Sequence, residues 1–316
     1  MSTNDRQKID QVLTKAKSVI FGQDDLLDSI MAALVCEGHL LIEGMPGLGK
    51  TLSVSVMAKL CDLSFKRIQF TPDLLPSDLI GTMIYSQKTE QFTTKFGPIF
   101  TQLLLADEIN RSPAKVQAAL LEAMAEKQVT IGENTHKLTS PFVVLATQNP
   151  IEQEGTYPLP EAQLDRFMMK VSVDYPDFEA EKNILALNFE SITQNDAVMS
   201  TSDIKDLKEK VEAVYVDEKI KDMLVRVTHA TRPGSDYFDS AYNGAIAAGA
   251  SPRATIWLYK LGKFVAFLKG RDFVTPEDVL HVVPSVLGHR VILSYEAMVD
   301  KIHSRDICLK IAERVI

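Results

Sequence analysis

The stretch GMPGLGKT, residues 44–51, narrows the choice of fold more than any other part of the chain. It follows the apolar run HLLIE and precedes TLSVSVMAKL, whose composition suits a helix. The spacing fits G-x-x-x-x-G-K-[ST], in which glycines let backbone N–H groups face phosphate oxygens. Lys50 would then reach the β and γ phosphates, and the Thr51 hydroxyl would ligate magnesium. The dinucleotide pattern G-x-G-x-x-G is not met, because Pro46 stands where its second glycine belongs. A plain strand–helix turn is the bland alternative. The strand-like run before the loop and the helix-compatible run after it favour a phosphate site.

A phosphate loop between a strand and a helix requires a sheet covered by helices, and the chain is long enough to supply one. Its 316 residues, 46% hydrophobic, allow two domains of ordinary size with real cores. The net charge of −8 gives no general pull toward a nucleic-acid backbone or an anionic membrane. The opening MSTNDRQKID lacks the features of a signal peptide, and no apolar run approaches the roughly 18 residues of a membrane span. The expectation is therefore a cytoplasmic protein without membrane insertion. Cys36, Cys61 and Cys308 are odd in number and widely separated in apolar contexts, so buried thiols are expected. The six histidines show no HExxH spacing, which disfavours a zinc hydrolase.

The texture changes near DYPDF, residues 174–178: strand-like runs alternate with helices before it, and nearly everything after it reads as helix. LLI (residues 40–42), LLLA (103–106) and FVVLA (142–146) are continuously apolar, as parallel strands covered on both faces should be. Each ends in glycine or polar residues: Gly44 onward, Asp107-Glu108, and Thr147-Gln148-Asn149. Ligands of open parallel sheets sit at the carboxyl ends of the strands, so these ends converge on one place. Ser112-Pro113 and Thr275-Pro276 read as helix starts with proline in the first turn. Val116, Leu120, Ala123 and Met124 follow on one face of the first helix, and Ile204, Leu207, Val211 and Val214 recur at helical spacing in what reads as a small helical bundle. Residues 82–96 and 127–138 resemble β-hairpins, the second with a Gly132-Glu133-Asn134-Thr135 turn.

Asp107 is placed to hold a magnesium ion, and Glu108 to polarise a water for attack on a γ-phosphorus. Asn149 could orient that water or touch the phosphate, or it is only a turn residue before Pro150. Arg253 falls two residues after the N-cap Ser251, against the helix dipole, which points to an anionic partner or a surface ion pair. Arg166 sits in LPEAQLDRF, and an arginine delivered to a phosphoryl-transfer transition state is worth about 10³ to 10⁵ in rate. If it comes from a neighbouring subunit, hydrolysis requires assembly.

With these residues in place the sequence resembles an AAA+ ATPase of the MoxR family. The resemblance is carried by FGQDD, LLIEGMPGLGKT, RIQFTPDLLPSDLIG, LLLADEINRSPAKVQAALLEAMAEKQVTIG, VVLATQNPIEQEGTYPLPEAQLDRF and SPRA, in family order. It implies an α/β fold with a parallel sheet in the order 5-1-4-3-2, helices on both faces, and a C-terminal helical lid. The core would span residues 1–176 and the lid 177–316. It also implies Mg-dependent hydrolysis of ATP to ADP and phosphate by a homo-oligomer, a hexameric ring with ATP between subunits.

In the same likeness Gly44, Met45, Pro46, Gly47, Leu48, Gly49, Lys50 and Thr51 form Walker A, with Leu52 beside it, and Asp107 and Glu108 form Walker B. Met45 replaces a common valine. Asn149 becomes sensor 1, Arg166 the arginine finger and Arg253 sensor 2, acting within its own subunit or on its neighbour. Phe21, Gly22 and Gln23 lie near the adenine. The hairpins correspond to a helix-2 insert around residues 85–96 and a presensor-1 hairpin at 127–138.

The leading functional expectation is a chaperone or remodelling motor working with a von Willebrand factor A domain protein, in metal-cofactor insertion or complex maturation. A nucleic-acid translocase is the runner-up, but the second hairpin's tip carries Glu133, with Lys127 and Lys137 only at its base. A small-molecule P-loop kinase is disfavoured by the Asp-Glu pair, which favours water as the nucleophile, and a non-hydrolysing scaffold by the complete set Lys50, Thr51, Asp107 and Glu108.

Overall fold

The computed structural model describes residues 3–88, 90–150, 155–186 and 197–316. Residues 151–154 of the quoted VVLATQNPIEQEG motif and Thr89 of the first hairpin lie outside the described residues. The first part of the chain runs α1 (Thr3–Lys17), α2 (Asp24–Cys36), β1 (Leu40–Gly44), α3 (Lys50–Leu60), β2 (Phe65–Gln69), α4 (Pro76–Ile80), β3 (Gly81–Ser86), β4 (Gln91–Phe96) and β5 (Leu103–Asp107). It continues through α5 (Ala114–Glu126), β6 (Gln128–Ile131), β7 (Asn134–Lys137), β8 (Val143–Gln148), α6 (Glu161–Leu164), β9 (Met169–Val173) and α7 (Phe178–Ala186).

Continuous apolar runs need cover on both faces, and here they receive it. Leu40, Leu41, Ile42, Leu103, Leu104, Leu105, Val143, Val144 and Leu145 are all fully buried at the centre of a five-stranded sheet ordered β2-β5-β8-β1-β9. Counting only its own strands, this is the expected 5-1-4-3-2 order. β8 pairs in parallel with β1, Leu40 opposite Leu145, and with β5, Leu103 opposite Val143. The polar ends of β1, β5 and β8 therefore emerge along one edge of the sheet. Gly44 ends β1 because a side chain there would meet the backbone oxygen of Val173 in β9 at 2.6 Å.

The two outer strands carry no continuous apolar run. β2, FKRIQ, is polar and largely exposed, and pairs in parallel with β5. β9, MKVSV, alternates between buried and half-buried positions, as a strand with one solvated face does. The hairpins form as β3–β4 and β6–β7. The turn of the second is tighter than the sequence reading: only Gly132 and Glu133 bridge it, while Asn134 and Thr135 already pair with Ile131 and Thr130. A second correction concerns α5. Its N-cap position is Pro113, and Ser112 turns its hydroxyl back to the Ile109 carbonyl instead of capping the helix. Val116, Leu120, Ala123 and Met124 are buried as expected. So are the thiols of Cys36, Cys61 and Cys308.

The chain divides into two compact units. One holds Lys8–Pro160 and Val171–Ile204 and contains the sheet; the other holds Met1–Gln7, Glu161–Lys170 and Lys205–Ile316. The later elements are α8 (Thr201–Glu212), α9 (Glu218–Ala230), β10 (Ile246–Ala248), α10 (Pro252–Leu268), α11 (Pro276–Leu287), β11 (Ile292–Leu293), α12 (Tyr295–Val299) and α13 (Ser304–Val315). The helical expectation holds, with one addition: β10 and β11 form a short antiparallel pair too brief to leave a period in the sequence.

In this second unit Asp278 closes a capping box with Thr275 at the start of α11 and also takes two bonds from the Arg271 guanidinium and one from Lys269. Burial pushes its carboxyl up, but the bonds from Arg271, Thr275 and Lys269 outweigh this and hold it at about 2. A folded pKa below the ordinary 3.8 means stability that is complete above that value and lost as pH falls toward 2. Asp278→Asn should lower the melting temperature at neutral pH, by an amount corresponding to about 3 kcal/mol. It should also flatten the wild-type loss of stability between pH 4 and pH 2, read by circular dichroism melts.

Candidate active site

The loop after β1 turns through Gly47 and Gly49, at φ of 84° and 75°, where an added side chain would meet nothing within 4 Å. The cost of other residues here is therefore backbone conformation rather than crowding. Gly49 sits at the N-cap position of α3, so unpaired N–H groups and the positive end of the helix dipole face the loop. Lys50 donates to the backbone oxygens of Gly44 at 2.5 Å and Met45 at 3.0 Å. Burial lowers its pKa, opposed by the charges of Asp107 and Glu108.

The ends of β5 and β8 supply the other wall. The cleft is about 390 Å³ and is lined by residues of the loop, among them Lys50 and Thr51, and by Asp107, Glu108, Thr147 and Asn149. Asp107 is nearly buried, with one carboxylate oxygen accepting from Thr147 Oγ1 at 2.5 Å and the other from Arg67 Nε and Nη2 at 3.1 and 2.5 Å. The same Thr147 hydroxyl accepts the Glu108 backbone N–H at 2.8 Å. Glu108 holds a left-handed backbone, φ 56° and ψ 50°, a conformation that costs a non-glycine residue about 1 kcal/mol or more. Its carboxylate accepts from Gln69 Nε2 at 2.7 Å and from Arg111 at 3.0 Å.

Ten of the residues singled out by sequence thus meet around one cleft, the loop residues Pro46, Gly47, Leu48, Gly49, Lys50, Thr51 and Leu52 with Asp107, Glu108 and Asn149, whereas Gly44 and Met45 are not among its lining residues. Three further residues line it that the sequence reading did not assign, Arg67 and Gln69 on β2 and Thr147 on β8. The only signal for Thr147 is its place as the first polar residue after an apolar strand. Gln23 is buried and donates to the Asp174 backbone oxygen, and Gly22, at φ 73°, packs on Pro176 and Ala180. Phe21, Gly22 and Gln23 are not among the residues lining this cleft. Arg166 and Arg253 belong to the helical unit, where Asp165 is their common neighbour: it precedes Arg166 in the chain and accepts from Arg253 Nη1 at 3.4 Å. Of the two meanings open to Arg253, an ion pair is present.

A hard divalent cation fits this donor set. Thr51 and Asp107 both line the cleft and offer a hydroxyl and a carboxylate, and magnesium binds through few protein oxygens alongside substrate phosphates and water.

Residues 39–169 match the ATPase family associated with various cellular activities (AAA), and residues 239–311 match the AAA lid domain. The chain is 44% identical to Chaperone MoxR1 of Mycobacterium tuberculosis over 307 residues, 97% of this chain and 81% of that one. The chain belongs to the MoxR family of AAA+ ATPases. Protein MoxR of Methylorubrum extorquens is 30% identical across 88% of this MoxR-family chain and 85% of its own length. The crystal structure of a candidate ATPase from Cytophaga hutchinsonii superposes with a TM-score of 0.93 at 47% identity, covering 99% of this chain and 95% of that one. No helix among the described residues is long and apolar enough to cross a membrane.

Proposed function

We propose that this MoxR-family chain hydrolyses ATP with magnesium as one subunit of a ring and uses the cycle to remodel a partner protein. The observation that carries the reading is the cleft in which the glycine loop faces Asp107 and Glu108. In it the loop N–H groups and Lys50 bind and orient phosphate oxygens, which Lys50 does by leaving the Gly44 and Met45 carbonyls for a stronger charged acceptor. Thr51 and Asp107 would hold the magnesium, which when bound neutralises charge on the transferring phosphoryl group. Glu108 accepts the proton of the attacking water and Asn149 orients that water. Arg166 is the arginine handed to the next subunit's site, and Arg253 is a second cation for phosphate, in its own subunit or its neighbour's.

The ring is proposed as a hexamer in the cytoplasm, and the partner as a von Willebrand factor A domain protein undergoing metal insertion or complex maturation. The relative named as a chaperone supports the remodelling role. Phe21, Gly22 and Gln23 are assigned to the adenine side.

The test is turnover per subunit across a protein-concentration series with magnesium, with sedimentation on the same samples. Turnover should rise as the ring forms, while ATP binding persists in the monomer. Constant turnover by a monomer would reject the assembled site, and no turnover at any concentration would reject the ATPase.

A further inference from the structure

Arg290 lies just beyond the end of α11, and its side chain is 1% exposed. A guanidinium has five N–H donor positions, and burial makes each unsatisfied one costly. Here all five are used. Nε donates to the Asp165 carboxylate at 2.9 Å, Nη1 to the backbone oxygens of Met168 at 3.2 Å and Val286 at 2.5 Å, and Nη2 to those of Asp165 at 3.0 Å and Phe167 at 2.5 Å. Four of the five therefore fall on residues 165–168.

The pattern brackets one residue. Arg166 lies between Asp165 and Phe167, and one nitrogen of Arg290 holds the carbonyls on both sides of it. The neighbouring His289 adds a bond to the same Phe167 oxygen; burial keeps its ring neutral, so Nε2 is the donor. Asp165 is fixed from a second direction by the Ser251 hydroxyl, at 2.8 and 2.9 Å, at the start of α10. The Arg166 guanidinium itself forms no hydrogen bond or ion pair with the other described residues. Its backbone is gripped while its charge is left available.

We propose that Arg290 is the positioning residue for Arg166: it ties the backbone around Arg166, through the Asp165 carboxylate and the carbonyls of Asp165, Phe167 and Met168, to the helical unit, so that the arginine offered to phosphate moves with that unit. This rests on the ATPase reading above. The same tie places Arg253 on the Asp165 carboxylate, so both arginines report the position of one body. A lysine at 290 would keep the charge but could not span the acceptors that a planar fork reaches.

The experiment is a double-mutant cycle on the full-length assembled protein. Arg290→Lys should lower kcat by about 10- to 100-fold, the penalty expected for a small misplacement of a reacting group. The KM for ATP and the affinity for a non-hydrolysable ATP analogue should stay within about threefold of wild type, because the phosphate loop is untouched. In an Arg166→Ala background, measured by single-turnover phosphate release, Arg290→Lys should cause no further loss. An equal loss in both backgrounds, or a fall in nucleotide affinity with kcat preserved, would overturn the proposal. Asp165→Asn is the second variant if Arg290→Lys melts far below wild type, and the same non-additivity is required of it. Wild-type turnover is the control: its absence would sink the ATPase reading itself, whereas its presence with additive losses would sink only the role of Arg290.

Discussion

Glu108→Gln is expected to leave ATP binding within about threefold of wild type and to cut hydrolysis by about 10² to 10⁴, the range that a positioned general base supplies. The substitution is nearly isosteric, and its side-chain oxygen can still accept the Gln69 amide and Arg111. The Glu108 backbone stays fixed by its bond to Thr147, and Asp107 keeps its partners Thr147 and Arg67. What is lost is the ability to take a proton from water. Binding is read by calorimetry with ATP and magnesium, and turnover by phosphate release. A variant that hydrolyses at the wild-type rate would remove Glu108 from the base role, and one that no longer binds would show that the carboxylate, through Gln69 and Arg111, holds its own wall of the cleft together.

The same cleft shows where sequence reading is strong and where it stops. GMPGLGKT is legible because glycine, lysine and threonine are each required at a fixed spacing by phosphate geometry. The central strands are legible because burial on both faces forces unbroken apolar runs. Arg67 and Gln69 escape for the opposite reason. They lie in FKRIQ, an edge strand whose polar residues look like ordinary surface until parallel pairing sets Gln69 opposite Asp107. Arg290 escapes more completely. In LGHRVILSY nothing separates it from a solvated arginine, and four of its five acceptors become visible only when folding brings residues 165–168 against the end of α11.

Arg166→Ala should bind ATP normally and lose about 10³ to 10⁵ in turnover, since the arginine acts only on charge developing in the transition state. If the arginine serves the neighbouring site, this variant is defective in what it gives and intact in what it holds. Lys50→Ala is the reverse, with a spoiled loop and a sound Arg166. Neither should turn over alone. In a head-to-tail ring formed from equal amounts of both, each site needs its own loop and its neighbour's arginine, so about a quarter of the sites are complete if mixing is random. Phosphate release should recover to about that fraction of wild type if the sites work independently, and should follow the product of the two mole fractions as the ratio is varied. An arginine acting within its own subunit predicts no recovery at any ratio, because no subunit in the mixture then carries both groups. Proof of co-assembly by native mass spectrometry makes the two outcomes distinct, and the dependence on ratio separates a trans arginine from trace wild-type contamination, which would not peak at equal amounts.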